Sequence, residues 1–280
     1  MSSVPKKAVE RIRAAIKKFQ PILQTAKTRD VNESDTVVIV ADLLQELFGY
    51  DKYTEITSEH SIRSTFCDLA IKLDGALAFL LEVKAIGIEL KDIHVKQAVD
   101  YAANQGCDWV GLTNGATWRV YKVVFEKPIQ NELVIEFDLL SLSHREQAAI
   151  QLLGLLSKEG WQKAGLVEHH SYKQALNRFT LGAILLSEPV VDVVRRELRR
   201  TTPGIKVEPT DVRSLLITEV IKRDVLEGEK ATAAKRQIAR AGGRALRQRR
   251  SKDDGDDDLT GDADVDSGAD VGTTDEARLN

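Results

Sequence analysis

The feature that most constrains this chain is a run of alternating residues at 64–86: STFCDLAIKL, then DGA, then LAFLLEVKAI. The alternation predicts two strands folded back on each other, because side chains on a strand point to opposite faces with period two. Cys67, Leu69, Ile71 and Leu73 form one apolar set, and Leu77, Phe79, Leu81 and Val83 form the other. Turning both sets to one core places Asp68, Glu82 and Lys84 together on the opposite face. A three-residue loop of Asp74, Gly75 and Ala76, with glycine in the left-handed position, sets Asp68 opposite Glu82. A two-residue Asp-Gly turn has the wrong parity unless a bulge corrects it. Two facing carboxylates repel, at a cost of up to ~1 kcal/mol. Either Lys84 and Lys72 neutralise a solvated face, or the acids await a cation.

The flanking segments predict what surrounds this hairpin. Residues 4–28 carry Val9, Ile12, Ala15, Ile16, Phe19 and Ile22 at helical spacing, with Pro21 expected to kink or divide the run. A second helix begins after Asn32 as N-cap, has Glu33 in its first turn, and stops at Gly49. Residues 53–62 read as a first strand, 90–105 as a helix, and 109–113 and 118–125 as strands joined by Asn114-Gly115. Strand, helix, strand implies a crossover, with 109–113 parallel to a neighbour in one sheet. Residues 133–139 add an edge strand. From Ser143 the pattern turns helical. Ser143 and Glu146 form a capping-box pattern, and further helical runs follow at 171–187, 188–200 and 210–226.

Residues 229–252 are basic and interrupted by Gly242-Gly243. The stretch from 253 is too acidic and too poor in apolar residues to fold, and reads as a disordered tail. Asp262, Asp264 and Asp266 imitate a calcium loop, but Ser267 and Thr273 stand where glycine and glutamate are needed. Residues 251–280 carry a charge of -9, which leaves +6 on the remainder of a chain whose net charge is -3. A mildly basic body is compatible with a polyanion partner.

No run approaches the length of a membrane span, and MSSVPKKAVERIRAAIKK has no apolar core of a secretory signal. The two cysteines, Cys67 and Cys107, lack paired spacing and read as reduced, core-filling residues of a cytoplasmic protein. No phosphate-binding G-x-x-x-x-G-K-[ST] run occurs, so no ATP site is expected. His94 reads as a surface or capping residue rather than a ligand. His60, His169 and His170 read as surface residues.

With Asp68 followed by Glu82-Val83-Lys84, the sequence resembles the PD-(D/E)XK nuclease superfamily, and more closely the N-terminal nuclease domain of type I restriction enzyme R subunits. Glu33 before the sheet, Leu-Phe-Gly-Tyr-Asp at 47–51, Gln97 and Tyr101 in QAVDYA, and Leu112-Thr113-Asn114-Gly115 with Trp118 and Tyr121 add to the likeness over residues 30–125. The family's proline before the first acid is absent, since Phe66-Cys67 precedes Asp68.

The resemblance implies an α/β, restriction-endonuclease-like mixed central sheet flanked by helices. It implies that Asp68 and Glu82, with the backbone carbonyl of Val83, bind Mg²⁺ or Mn²⁺. Lys84 would orient or deprotonate the attacking water, Gln97 would position phosphate or water, and Tyr101 and Glu33 would support them. Oxygen donors without a His or Cys cluster suit such hard ions.

The expected organisation is a nuclease-like domain at 1–140, a helical region at 141–228, and a basic segment with an acidic tail at 229–280. The expected activity is Mg²⁺-dependent hydrolysis of DNA without a translocase motor, with a homodimer formed through the C-terminal helices. The alternative is a non-catalytic nucleic-acid-binding or regulatory module on the same fold. A scaffold working through its helices and tail is the third reading.

Overall fold

The computed structural model of the chain describes residues 4–62 and 65–253, without the side chains of 59–62, 65–66 and 244–253. The acidic tail, its calcium-loop imitation, and the side chains of His60 and Phe66 lie outside the described residues. The chain forms two compact units, Met1–Gln174 and Ala175–Asn280.

In the first unit the described strands form one sheet in sequence order, β1 (Ile56–Ile62), β2 (Thr65–Leu73), β3 (Ala76–Val83), β4 (Trp109–Thr113), β5 (Thr117–Val124) and β6 (Gln130–Asp138). All neighbours are antiparallel except β3 and β4, which run parallel across the helix between them. The chain is therefore α/β with a mixed sheet, as the strand–helix–strand pattern predicts. One face packs on α1 (Lys6–Thr28), α2 (Glu33–Glu46) and α4 (Gln147–Leu156); Ile12, Phe19, Leu43, Leu69, Leu81, Val83 and Leu153 share that core. The other face packs on α3 (Asp92–Gln105), through Leu80, Val110, Leu112, Val99 and Tyr101.

The β2–β3 hairpin reaches its register by a route other than the expected three-residue loop. Leu73 pairs with Ala76, so Asp74 and Gly75 alone make the turn. Both have positive φ, 50° and 80°, as the tight hairpin turn suited to twisted strands requires. A bulge corrects the parity: Lys72 pairs with Leu77 and Ile71 with Phe79, leaving Ala78 as the additional residue. From there Ala70 pairs with Leu80 and Leu69 with Leu81. The alternation places Cys67 beside Leu69, but it joins the α3 core instead. Leu69 is the last β2 residue paired with β3, and beyond it the strand leaves the regular ladder.

Other departures have local causes. Pro21 does not divide α1; it faces solvent while Phe19, Leu23 and Ala26 continue the buried stripe, and Ile22 is exposed. The Ser143–Glu146 capping box does not form. Helix α4 starts at Gln147 without a side-chain cap, and Ser143 Oγ accepts from Arg145 N–H instead. The helical stretch expected from 141 divides between the units. α4, α5 (Lys158–Gln162) and most of α6 (Gly165–Ala175) belong to the first, where Ile150, Leu153, Leu156 and Leu166 enter the main core.

In the second unit the expected 171–187 helix breaks before α7 (Arg178–Leu185). Asn177 caps α7 by accepting from the N–H groups of Phe179 and Thr180, each at 2.9 Å. Helix α8 spans Glu188–Thr201. The 210–226 run becomes α9 (Pro209–Leu215), a π-helical turn at Leu216–Val220 and α10 (Arg223–Leu226). Helix α11 (Glu229–Asp253) runs through Gly242-Gly243 without interruption and packs on α7. No helix among the described residues is long and apolar enough to cross a membrane.

Candidate active site

Glu82 occupies the penultimate position of β3 and, by alternation with Leu81 and Val83, shares the α3-facing side with Leu80. It is 3 % exposed. Its Oε1 accepts a hydrogen bond from Lys84 Nζ at 2.8 Å, and the same ammonium lies 3.5 Å from Glu33 Oε2. Glu33 is the first residue of α2, presented there because Asn32 caps the helix by accepting from Asp35 N–H at 2.9 Å. The regular β2–β3 pairing ends at Leu69 and Leu81, one residue short of Asp68 and Glu82. Asp68 Oδ2 accepts from Val83 N–H at 2.7 Å, so a side chain takes the place of a ladder carbonyl where the two strands part. Lys84 is anchored in turn by its own N–H, which donates to Thr113 O of β4 at 2.8 Å.

The electrostatics follow from this crowding. Burial pushes the Glu82 carboxyl above the ordinary carboxylate range; the Lys84 hydrogen bond opposes the rise, and the charges of Asp68 and Glu33 add to it. Burial works against the charge on Lys84, but its bond to Glu82 and the negative charges of Glu82, Glu33 and Asp68 outweigh that, so the ammonium holds its proton more tightly than usual. The neighbouring Cys67 thiol is pushed up to about 12, by burial first and then by Glu82 and Asp68. It is a neutral, buried thiol, and Cys107 is likewise buried and free.

The four residues Glu33, Asp68, Glu82 and Lys84 thus meet at the C-terminal end of β3. Of the other expected site residues, Gln97 lies exposed on α3, while Tyr101, one turn on, is buried in the same core as Cys67 and Leu80. His94 caps the start of α3, its Nδ1 accepting from Lys91 N–H at 3.2 Å. Neither His169 nor His170 is a plain surface residue. His170 is half-buried, 3.0 Å from Glu132 Oε2 and edge-on to Trp109, and His169 is half-buried on the same helix.

Sequence reasoning missed Asn114 as a positioning residue, reading it only as a turn former. Its backbone has no positive φ; only Gly115 takes that conformation, at 85°. The buried side chain instead clamps two loops. Oδ1 accepts from Thr117 N–H at 2.8 Å and Ala116 N–H at 3.2 Å, while Nδ2 donates to Ile88 O at 2.9 Å and Ile86 O at 3.4 Å. Arg119 Nη1 fastens the far end of the same loop through Leu90 O at 2.8 Å. The segment that follows Lys84 is therefore held to the β4–β5 hairpin. No periodicity announces such a clamp, because it depends on a backbone that passes by only in three dimensions.

Among the described residues no group of three or more His, Cys, Asp or Glu side chains is spaced to hold a metal ion. What the corner offers is two carboxylates from adjacent strands with backbone carbonyls beside them. That is a donor set for a hard cation rather than for zinc. The raised Glu82 carboxyl and the like charge of Asp68 are strains that a cation would relieve. No family model, curated protein or solved structure matches the chain.

Proposed function

We propose that the protein is a Mg²⁺- or Mn²⁺-dependent endonuclease of the PD-(D/E)XK type that hydrolyses phosphodiester bonds of DNA. The observation that carries this reading is the gathering of Asp68, Glu82 and Lys84 where β2 and β3 part: Asp68 Oδ2 accepts from Val83 N–H at 2.7 Å, and Lys84 Nζ lies 2.8 Å from Glu82. Keeping several acids together in a largely buried corner works against stability; Lys84 offsets part of their charge, and a bound divalent ion would offset the rest.

On this reading Asp68, Glu82 and the carbonyl of Val83 hold the ion. When bound, the ion offsets phosphate charge and lowers the pKa of water. The Val83 N–H fixes one Asp68 oxygen, so that carboxylate is preorganised rather than free to rotate. Lys84 brings a retained proton and a positive charge to where the phosphate gains negative charge, and its single-residue spacing from Glu82 keeps both on one side of β3. Gln97, at the surface of α3, orients phosphate or water; Tyr101 in the core and Glu33 beside Lys84 support the arrangement.

The reading places the protein in the cytoplasm without an ATP-driven motor. It also expects a second copy for double-strand cleavage, met through the C-terminal helices, which expose Leu198, Leu215 and Val220.

The test is nicking of supercoiled plasmid with Mg²⁺, Mn²⁺ or chelator, beside RNA and beside Glu82→Ala. Metal-dependent nicking that Glu82→Ala abolishes is the expected result, and nicking by the variant at the wild-type rate would overturn the assignment. One observation favours the alternative, a non-catalytic nucleic-acid-binding or regulatory module: Glu82 is already engaged by Lys84. Salt-sensitive DNA binding without cleavage would select it.

A further inference from the structure

Both ring nitrogens of His169 are buried, and neither has a hydrogen-bond partner among the described residues. A buried polar group left unpaired is destabilising, and native proteins rarely keep one that nothing ever satisfies. The adjacent His170 shows what a structural histidine on this helix does, since it is bonded to Glu132. His169 instead lines a cavity of about 220 Å³ between the residues leading into α1, helix α4 and the α5–α6 corner. Val4, Pro5, Leu152 and Leu155 supply apolar wall. The corner cannot be refilled by a side chain at Gly160, whose Cβ would lie 2.0 Å from Gly154 O.

The charge in the lining that no ion pair offsets is positive. The cavity's one lining carboxylate, Glu159, is neutralised by two 2.7 Å bonds from Arg11, a guanidinium also held by Leu47 O and Phe48 O. Lys163 stands exposed in the lining, and burial first, then the charge of Lys173, disfavours the imidazolium of His169. An apolar ligand alone would leave the imidazole unsatisfied, and a cation would be repelled. An anion with an apolar body meets both demands.

We propose that this cavity is a binding site for a small amphiphilic carboxylate, its chain against Val4, Pro5, Leu152 and Leu155 and its carboxylate at Lys163 and at the His169 ring, which turns a buried nitrogen toward the cavity on binding. At ~30 Å³ per small group the space holds roughly seven or eight non-hydrogen atoms, the size of a six-carbon acid. The site is separate from the acid corner. The cavity lies at the start of α1, whereas the other end of α1 leads into the turn before Glu33, about 35 Å away along a helix of 23 residues.

The experiment is calorimetric titration of the full chain with hexanoate, and in parallel with hexanol and hexylamine, with circular dichroism to verify folding of each variant. Hexanoate is expected to bind with a Kd of about 0.1–1 mM, tighter than either analogue. His169→Phe, which keeps a ring but removes both nitrogens, should weaken hexanoate about tenfold. Lys163→Ala should weaken hexanoate severalfold and leave hexanol unchanged. Ala148→Trp fills the space from an exposed position of α4 and should abolish binding while the fold persists. Undetectable hexanoate binding at about 10 mM would overturn the site. So would hexanol binding as tightly as hexanoate, or Ala148→Trp binding it normally.

Discussion

The two ends of α1 treat buried polar groups in opposite ways. Beyond its C-terminal end, at the acid corner, ionised groups are packed against one another: Asp68 takes the Val83 N–H, Glu82 takes the Lys84 ammonium, and Glu33 stands within reach of the same lysine. At its start, an imidazole has both nitrogens buried with no partner among the described residues, beside a cavity whose one carboxylate is tied to Arg11. The first arrangement stores charge repulsion that a cation would relieve. The second stores an unmet hydrogen bond that an anion would relieve. On the two proposals, what each leaves unsatisfied would tell a site for chemistry from a site for a ligand.

Variants at the corner should show the largest effect. Asp68→Asn or Glu82→Gln should lower plasmid cleavage by about 10³-fold or more, because charge at the reacting phosphate goes uncompensated. Neither should destabilise the fold, since each removes one of two like charges. The pH dependence has a definite sign. Folding raises the Glu82 carboxyl above its unfolded value, so the folded state binds that proton more readily. Wild type should therefore lose stability relative to Glu82→Gln as pH rises through the folded Glu82 pKa. The difference should close as pH falls to the unfolded carboxyl range. Thermal melts between pH 4 and 8 check this, and a gap that widens toward acid would break the contrast.

Next in size is Lys84→Ala. It leaves Glu82 buried beside Asp68 with no counter-charge, and should cost about 2–3 kcal/mol in denaturant unfolding while removing turnover. If turnover and DNA affinity fell equally, Lys84 would be a phosphate-binding group and not part of the chemistry. Asn114→Ala should cost about 2 kcal/mol, since it orphans two loop carbonyls and two turn N–H groups. It should also lower kcat by loosening the segment after Lys84. At the opposite end, Arg11→Gln frees the Glu159 charge beside the cavity and should weaken hexanoate about fivefold, an outcome that sharpens the comparison.

How much of each end is legible in the sequence follows from chain distance. The corner comes from residues fourteen and sixteen apart on neighbouring strands, where period-two alternation makes the hairpin legible; the expected three-residue loop is replaced by an Asp-Gly turn whose parity the bulge at Ala78 restores. Glu33 was legible through the Asn32 cap. The crossover that sets β4 beside β3 could be read from the strand–helix–strand order alone. The cavity was not legible, because Val4 lies over a hundred residues from Leu152 and His169 and no pattern in any one segment signals the others. Nor could the Asn114 clamp be foreseen, since its acceptors belong to a loop with no periodicity. The failed expectations share a cause. Pro21 and Ser143 carry strong local signals, but α1 and α4 are positioned by the core they bury.

The smallest effect tests that legibility most directly. The register at the acids rests on a two-residue turn and the additional residue Ala78. Deleting Ala78 removes the bulge but leaves every observed pair in place: Lys72 still meets Leu77, and Ile71 still meets Phe79. Glu82 and Lys84 therefore keep their side of β3. We expect stability within about 1 kcal/mol of wild type and cleavage within a few-fold, measured by denaturant unfolding and plasmid nicking. Deleting Leu80 instead shifts the strand beyond the bulge by one residue, turning Glu82 and Lys84 toward the α1–α2 core and Val83 toward α3. That variant should neither fold stably nor cleave. Equal tolerance of the two deletions would mean that strand alternation does not hold the acids together, and the corner would lose its physical basis.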